Sequence, residues 1–489
     1  MSGLRQDSRD ILTTIARQAM LDHGLLADFS PAAQAQADSL KRAAADPAAH
    51  DLRGAEWVSI DNDDSLDLDQ LSVAQSLPGG NSKLLIAIAD VDAAVSRGSA
   101  IDDHARHNTT SVYTAGRIFP MLPEHLSTDL TSLVQGQERL AMVIELVIAA
   151  DGSIVSSDIY RATVVNKAKL AYDSVASWLD GATPAPKGLE APGLQNQVRL
   201  QDQIAQSLGR VRHAQGALTL ETIQTSAVFD GEVLRDLLPD RNNRAHELIE
   251  NVMVAANGVA ARWLQSKGLP SIRRVLRTPA HWERIVALAA EHGGHLPALA
   301  DAGALNAFLG KSRQESPAQF ADLSLSVIKL LGRGEYALEL PGAAVAGHFG
   351  LAVSDYMHST APNRRFPDVI AQRLIKSVLG STPAPYTTSE LRDLAAQCTT
   401  QEDAAAKVER RVSKSAAALL LGSRIGQSFE ALVTGAADKG TWARITTPPV
   451  EGRIVRGFAG LQVGQAVRVR LLSVDVTRGF IDFACEGHS

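Results

Sequence analysis

A chain of 489 residues exceeds one ordinary domain, so two to four are expected. Its apolar content of 45%, with no low-complexity tract, supports sizeable cores and excludes a disordered protein. The net charge of −6 argues at first against a polyanionic partner, but residues 51–110 alone hold eleven Asp/Glu against four Lys/Arg, which leaves the remainder about neutral.

The two cysteines, Cys398 and Cys485, lie far apart with no CxxC spacing. That argues against a zinc site or a disulfide framework and suits a reducing cytoplasm. The apolar runs are too short to span a bilayer, and the N-terminus lacks a basic segment followed by an apolar one. A cytoplasmic protein without membrane association is expected.

Residues 1–50 read as a small helical module. Ser8 opens an apolar pattern through Ile11, Leu12 and Ile15, and Ser30-Pro31 is a helix-start signal. A helix-turn-helix and generic helical packing fit equally well. From Trp57 the texture changes to strands, with apolar runs at 84–91 and 142–148. A partly helical segment lies between them, around 102–113. Helical patterns follow at 195–212, 244–265, 282–292, 305–309, 368–379 and 402–421, with a Pro/Gly/Ala loop at 183–192. After Gly426, short strands are predicted at 428–433, 442–445, 452–456, 466–473 and 479–483. Five short strands in so few residues predict an OB-type barrel. Its seven Lys/Arg against five Asp/Glu, with Phe429, Trp442 and Phe458, suit single-stranded nucleic acid, although a small barrel also uses aromatics to fill its own core. Basic clusters at Arg273/Arg274/Arg277, Arg364/Arg365/Arg373/Lys376 and Lys407/Arg410/Arg411/Lys414 are candidate phosphate contacts or solvated helix faces.

The stretch from Asp61 to Gln70 packs five aspartates into nine positions, Asp61, Asp63, Asp64, Asp67 and Asp69. Carboxylates at that density repel one another, and hard oxygen ligands favour Mg²⁺ or Mn²⁺. An EF-hand is excluded, since its glycine and glutamate positions hold Leu66 and Ser72. A solvated acidic turn is the competing account. Against it, Asp67-Leu68-Asp69 alternates acid with an apolar residue that would face a core.

Ile60-Asp61 followed by Asp67-Leu68-Asp69 resembles the metal-binding signature of the ribonuclease II / ribonuclease R family, the RNB catalytic domain. Four further stretches agree in order: Ile88-Ala89-Asp90-Val91; Ser111-Val112-Tyr113 with Phe119-Pro120-Met121-Leu122-Pro123; Leu248-Ile249-Glu250 with Met253 and Ala255-Ala256-Asn257; and Thr360-Ala361-Pro362-Asn363-Arg364-Arg365-Phe366-Pro367-Asp368. The C-terminal barrel resembles the family's S1-type domain. The resemblance covers roughly residues 55–485. It implies an α+β multidomain chain: the helical module at 1–50, a mixed α/β catalytic domain at 55–422, and an S1-type barrel at 426–485.

The resemblance also implies roles. Asp61, Asp67 and Asp69 match metal-binding acids, with Asp69 and Arg364 catalytic. Tyr113 matches an aromatic that stacks on a base near the RNA 3′ end. Glu250 matches an acid contacting the terminal nucleotides, Arg364 the arginine beside the scissile phosphate, and Glu409 an acid near the 3′ nucleotide. Gln70 stands where the family pattern has a fourth acid and offers a neutral carbonyl oxygen. The family's second stacking aromatic has no counterpart in residues 217–221. The implied activity is processive 3′→5′ hydrolysis of single-stranded RNA to nucleoside 5′-monophosphates with two Mg²⁺ (or Mn²⁺) ions. Fifty N-terminal residues are too few for the family's paired cold-shock domains, which leans the expectation toward ribonuclease II. No obligate protein partner is implied, and a monomer is expected. Two other classes stay open: an RNA-binding regulator with a decayed site, and a DNA-binding regulator using residues 1–50.

Overall fold

The apolar runs near residues 84 and 142 become neighbouring strands at the centre of a seven-stranded sheet in the computed structural model, which describes residues 7–221, 225–240, 242–343, 347–437 and 439–488. Across the sheet the order is His50–Asp51, Ile154–Val165, Glu138–Ile148, Ser82–Ala89, Gln70–Ser76, Val58–Asp61 and Ala168–Ala171. The inner strands pair antiparallel, and the two outermost pairings are parallel. Leu84, Ile86, Val143 and Leu146 are buried completely or nearly so. Burial on both faces explains why these strands read as continuous apolar runs. The Ile154–Val165 strand escaped sequence reading because its first half is exposed and polar. Its partner strand supplies its hydrogen bonds.

Helices Pro192–Ala214 and Arg244–Ser266 pack together beside the sheet. Gln201, which is fully buried, accepts from Ser72 Oγ at 2.6 Å, so even the polar part of this contact is satisfied. The Thr388–Leu421 helix starts well before the predicted 402. Thr387 Oγ1 accepts from Glu390 N at 3.2 Å and Glu390 Oε2 accepts from Thr387 N at 2.7 Å. This capping box was legible as Thr-x-x-Glu spacing.

Three hydrophobic cores result. The largest joins the sheet to its helices. A second joins the barrel, the Ser8–Asp22 helix and the C-terminal half of the long helix. A third belongs to helices Trp282–Glu291, Ala302–Glu315 and Pro317–Leu331. The N-terminal helices depart from a helix-turn-helix. Leu12, Ala16 and Met20 of the first sit in the second core, whereas Ala33 and Ala37 of Pro31–Ser39 sit in the first. The first packs on the Thr388–Leu421 helix and the second on the Ala100–Asn108 helix.

The C-terminal strands Ser428–Ala437, Gly440–Ile445, Glu451–Arg456, Ala466–Asp475 and Phe480–His488 close into a barrel. Its centre is filled by Phe483, which is fully buried. Phe429 is partly buried against the same core and Trp442 is half-buried, while Phe458 is 50% exposed. A Cβ at Gly452 would lie 2.4 Å from the Phe483 ring and 2.8 Å from Ile481 O. Gly452→Ala is therefore expected to destabilise the barrel by about 1–3 kcal/mol through overpacking, read as a lowered Tm. Among the described residues no helix is long and apolar enough to cross a membrane.

Candidate active site

Asp61 ends one strand and Gln70 begins its neighbour, so the acidic run is the loop between them. Backbone groups, one serine hydroxyl and one lysine ammonium hold that loop. Ser132 Oγ accepts from Leu68 N at 2.9 Å and donates to Leu66 O at 2.7 Å. Leu133 N donates to Leu68 O and Ala89 N to Asp69 O, each at 2.9 Å. Lys169 Nζ donates to Asp63 O at 2.9 Å. The Asp63 and Asp64 side chains are exposed.

The remaining carboxylates each meet a different donor. Asp61 Oδ1 accepts from Asn62 N (2.7 Å) and Ser65 Oγ (2.8 Å). Asp67 Oδ2 accepts from the Tyr113 hydroxyl at 3.1 Å. Asp69 is 5% exposed; its Oδ1 accepts from Asn363 N at 2.8 Å, and its Oδ2 lies 3.5 Å from Arg364 Nε. Burial pushes the Asp69 carboxyl up to about 7, with Arg364 and the Asn363 N–H pulling the other way. Burial also raises Asp67, opposed by the Tyr113 hydroxyl and Arg364. The Tyr113 phenol is raised by burial and by the Asp67 charge.

The segments bearing Tyr113 and Arg364 are stitched together by backbone. Ser111 N donates to Arg364 O at 3.0 Å, and Phe366 N to Thr109 O at 2.8 Å. Asp368, fully buried, accepts from Ala361 N and Arg365 Nη2, each at 2.8 Å, and so shapes the Arg364 loop from behind. Tyr113 N donates to Glu409 Oε1 at 3.0 Å, so Glu409 anchors the backbone of the residue expected to stack. Burial raises the Glu409 carboxyl. The Tyr113 side chain remains 40% exposed.

Glu250 is exposed on the Arg244–Ser266 helix and pairs with Arg212 Nη2 at 3.2 Å. Among the described residues no contact joins it to the acid loop or to Arg364. It does share a helix face with His246, Met253 and Asn257, which follow i, i+4, i+7, i+11 spacing. His246 stacks on Tyr172 with ring centroids 3.9 Å apart, and Asp61 pairs in register with Ala171, next to Tyr172. At the other end, Asn257 Oδ1 accepts from Ser359 N (2.8 Å) and Ser359 Oγ (2.9 Å). The face thus runs from the acid loop to the Arg364 loop.

Most basic clusters are consumed by ion pairs, which corrects their reading as phosphate patches. Arg273 is buried on Glu339, Arg274 pairs with Glu402, and Arg277 with Glu335. Arg365 pairs with Asp368, and Arg373 and Lys376 with Asp92. Arg364, with its side chain 47% exposed, is the member of its cluster that faces solvent.

Among the described residues no three His, Cys, Asp or Glu side chains stand together closely enough to hold a metal ion. The donor chemistry nonetheless fits a hard cation. Every candidate ligand is oxygen, and Gln70 Oε1 is buried without a hydrogen-bond donor while Gln70 Nε2 donates to Ile60 O at 3.2 Å. A cation beside Asp69 would also relieve a carboxylate that burial disfavours.

The family profile described as RNB domain matches residues 49–381. This chain belongs to the RNB family. A second profile, the RNase II-type exonuclease C-terminal S1 domain, matches residues 427–486 of this RNB protein. Ribonuclease R of Thermotoga maritima is 28% identical over 472 residues, covering 88% of this chain and 64% of the relative. Exoribonuclease 2 of Escherichia coli is 33% identical over 348 residues, covering 70% of this chain and 52% of the relative. The chain thus spans about half to two thirds of the length of these curated relatives. Among solved structures, Mycoplasma genitalium RNase R in complex with ribose-methylated single-stranded RNA superposes with a TM-score of 0.87 at 22% identity, covering 97% of this chain and 78% of that one. Relatives of both the ribonuclease R and exoribonuclease 2 names are found, so the lean toward ribonuclease II draws no support from them.

Sequence reading of the RNB site missed Ser132, Asn363, Tyr172 and His246. Ser132 and Asn363 act through a hydroxyl and a backbone N–H on loops distant in sequence, which no local pattern marks. His246 lies one turn before Glu250 and was reachable by helical spacing.

Proposed function

We propose that this RNB-family chain is a metal-dependent 3′→5′ exoribonuclease, acting processively on single-stranded RNA and releasing nucleoside 5′-monophosphates. The observation that carries this is the half-exposed Arg364 guanidinium beside buried Asp69, with the open Tyr113 ring tied to Asp67 of the same loop. The names of the curated relatives support it.

Asp61, Asp67, Asp69 and the Gln70 carbonyl would hold two Mg²⁺ or Mn²⁺ ions. When bound, such ions supply an activated water and relief of charge at the phosphate. The residues do the rest. Arg364 keeps Nε on Asp69 and presents its Nη groups to a non-bridging phosphate oxygen. Tyr113, fixed at its hydroxyl by Asp67 and at its N–H by Glu409, offers a ring face to the terminal base. Such stacking contributes on the order of 1–3 kcal/mol without reading base identity. Glu250 and Glu409 would contact the 3′-terminal nucleotides.

An RNA-binding regulator with a decayed site is the other reading. The retained Asp69–Arg364 pair and the donors arranged on Asp67 weigh against it. The test is a 5′-labelled single-stranded oligonucleotide incubated with Mg²⁺ or with chelator. A ladder shortening stepwise from the 3′ end in Mg²⁺, and intact strand in chelator, is expected. Retention of the strand without cleavage in Mg²⁺ would falsify the enzymatic reading.

A further inference from the structure

The candidate metal ligands of the acid loop are held by different kinds of group. Asp61 is held from within the loop, by Asn62 N and Ser65 Oγ. Asp69 is held by the backbone of the Arg364 loop, through Asn363 N. Asp67 is half-buried, and its Oδ2 accepts from the Tyr113 hydroxyl, 46 positions further along the chain, at 3.1 Å. Among the described residues no donor from another residue reaches Asp67 Oδ1. One oxygen of this carboxylate is therefore fixed and the other is left free. A donor on one carboxylate oxygen sets the direction in which the other is presented, which is how outer groups orient the ligands of a bound cation.

The Tyr113 ring does not depend on that hydroxyl for its place. Its strand, Val112–Tyr113, pairs antiparallel with Ile118–Phe119, with Val112 opposite Phe119 and Tyr113 opposite Ile118. Val112 and Phe119 are buried in the second core, which seats this short ribbon. Side chains alternate along a strand, so burying Val112 turns Tyr113 outward. The backbone is tied on both sides of the ring: Tyr113 N donates to Glu409 Oε1 and Ser111 N to Arg364 O, each at 3.0 Å. A phenylalanine at this position would meet every one of these constraints. The single thing it would lack is the donor on Asp67.

We propose that Tyr113 has two separable roles: its ring is the stacking face, and its hydroxyl is a positioning group that aims Asp67 Oδ1 at a divalent cation. The inference rests on the metal-dependent function proposed above. It adds to the metal site a group that is not itself a ligand and touches no reacting atom. Without the hydroxyl, Asp67 Oδ2 loses its donor and the carboxylate is free to turn about its side-chain bonds. Removing an outer partner of this kind typically costs about 10- to 100-fold in metal affinity. A hydrogen bond that served the fold alone would cost stability and leave metal affinity unchanged.

The test removes one oxygen atom and reads metal and RNA separately. Mn²⁺ binding to the full chain without RNA is followed by electron paramagnetic resonance of the free ion, and Tyr113→Phe is expected to weaken it by about 10- to 100-fold. In chelator the same variant is expected to bind a fluorescent oligouridylate within about twofold of the parent, because the ring is kept. Tyr113→Ala should lose both, with its RNA affinity in chelator falling by about 5- to 150-fold. In hydrolysis, Tyr113→Phe should need at least about tenfold more Mg²⁺ for its half-maximal rate, with little change in KM for RNA once metal is saturating. Unchanged Mn²⁺ affinity in Tyr113→Phe overturns the assignment and leaves the hydroxyl a structural bond. An equal loss of Mn²⁺ and RNA affinity in that variant overturns it as general damage to the site, and a parent chain that binds no Mn²⁺ overturns it as well. Hydrolysis by the parent in Mg²⁺ is scored separately. Its absence counts against the exoribonuclease function, and the Mn²⁺ titration still judges the hydroxyl.

Discussion

Asp69→Asn is expected to lower RNA hydrolysis by at least about a hundredfold to a thousandfold, the scale of losing one charge-stabilising group in an active site, while raising the thermal stability of the chain. Both effects have one cause. The Asp69 carboxylate is buried, with one backbone donor on Oδ1 and a guanidinium at 3.5 Å from Oδ2. That is incomplete compensation for a buried charge. Asparagine keeps the acceptor for Asn363 N and removes the charge, so the fold gains what the chemistry loses. The pH dependence carries the same signature. The folded carboxyl is held up at about 7, above the ordinary value of 3.8. Between those pH values the folded state holds a proton that the unfolded chain has lost, so stability falls as pH rises across that window. In chelator, Asp69→Asn should flatten that part of the profile of Tm against pH. A variant that keeps full activity with unchanged metal dependence would remove Asp69 from the site.

Arg364→Ala is expected to reduce kcat by about 10²–10³ with a smaller change in KM. The side chain stands half in solvent and touches Asp69 through Nε, so its Nη groups remain for substrate. A phosphate gains negative charge at its non-bridging oxygens as water attacks, and a planar two-donor group matches that geometry better than an ammonium. Arg364→Lys should therefore recover only part of the loss. The double variant with Asp69→Asn should fall short of the product of the single effects, because the two residues act as one unit. Single-turnover kinetics on a labelled strand would measure all three. Independent, multiplicative effects would show that the 3.5 Å pair has no part in the reaction.

Much of this architecture was legible along the chain. The central strands announced themselves because burial on both faces demands unbroken apolar runs, as at Leu84–Ile88. The barrel was legible because five short strands must be separated by turn residues. The acid loop was visible because five aspartates so close together are costly unless something binds them. Composition and spacing do not rank the acids; the family resemblance singled out Asp61, Asp67 and Asp69 without supplying the physical reason. Asp63 and Asp69 are the same residue type six positions apart, yet one is exposed and the other is 5% exposed against Asn363 and Arg364.

That ranking comes from segments far away in the chain. Asn363 N, the Tyr113 hydroxyl and Ser132 Oγ each fix one part of the loop, and folding alone brings them there. The basic clusters teach the same lesson. Arg273 and Lys407 look alike as letters, but Arg273 is buried on Glu339 while Lys407 faces solvent without a partner among the described residues. Composition, periodicity and spacing thus settled the elements, the family resemblance and the position of the acid loop, since these depend on local burial and chain geometry. Which charges remain free to act was settled by long-range pairing, because a charge is spent or spared by the partner that the fold brings to it.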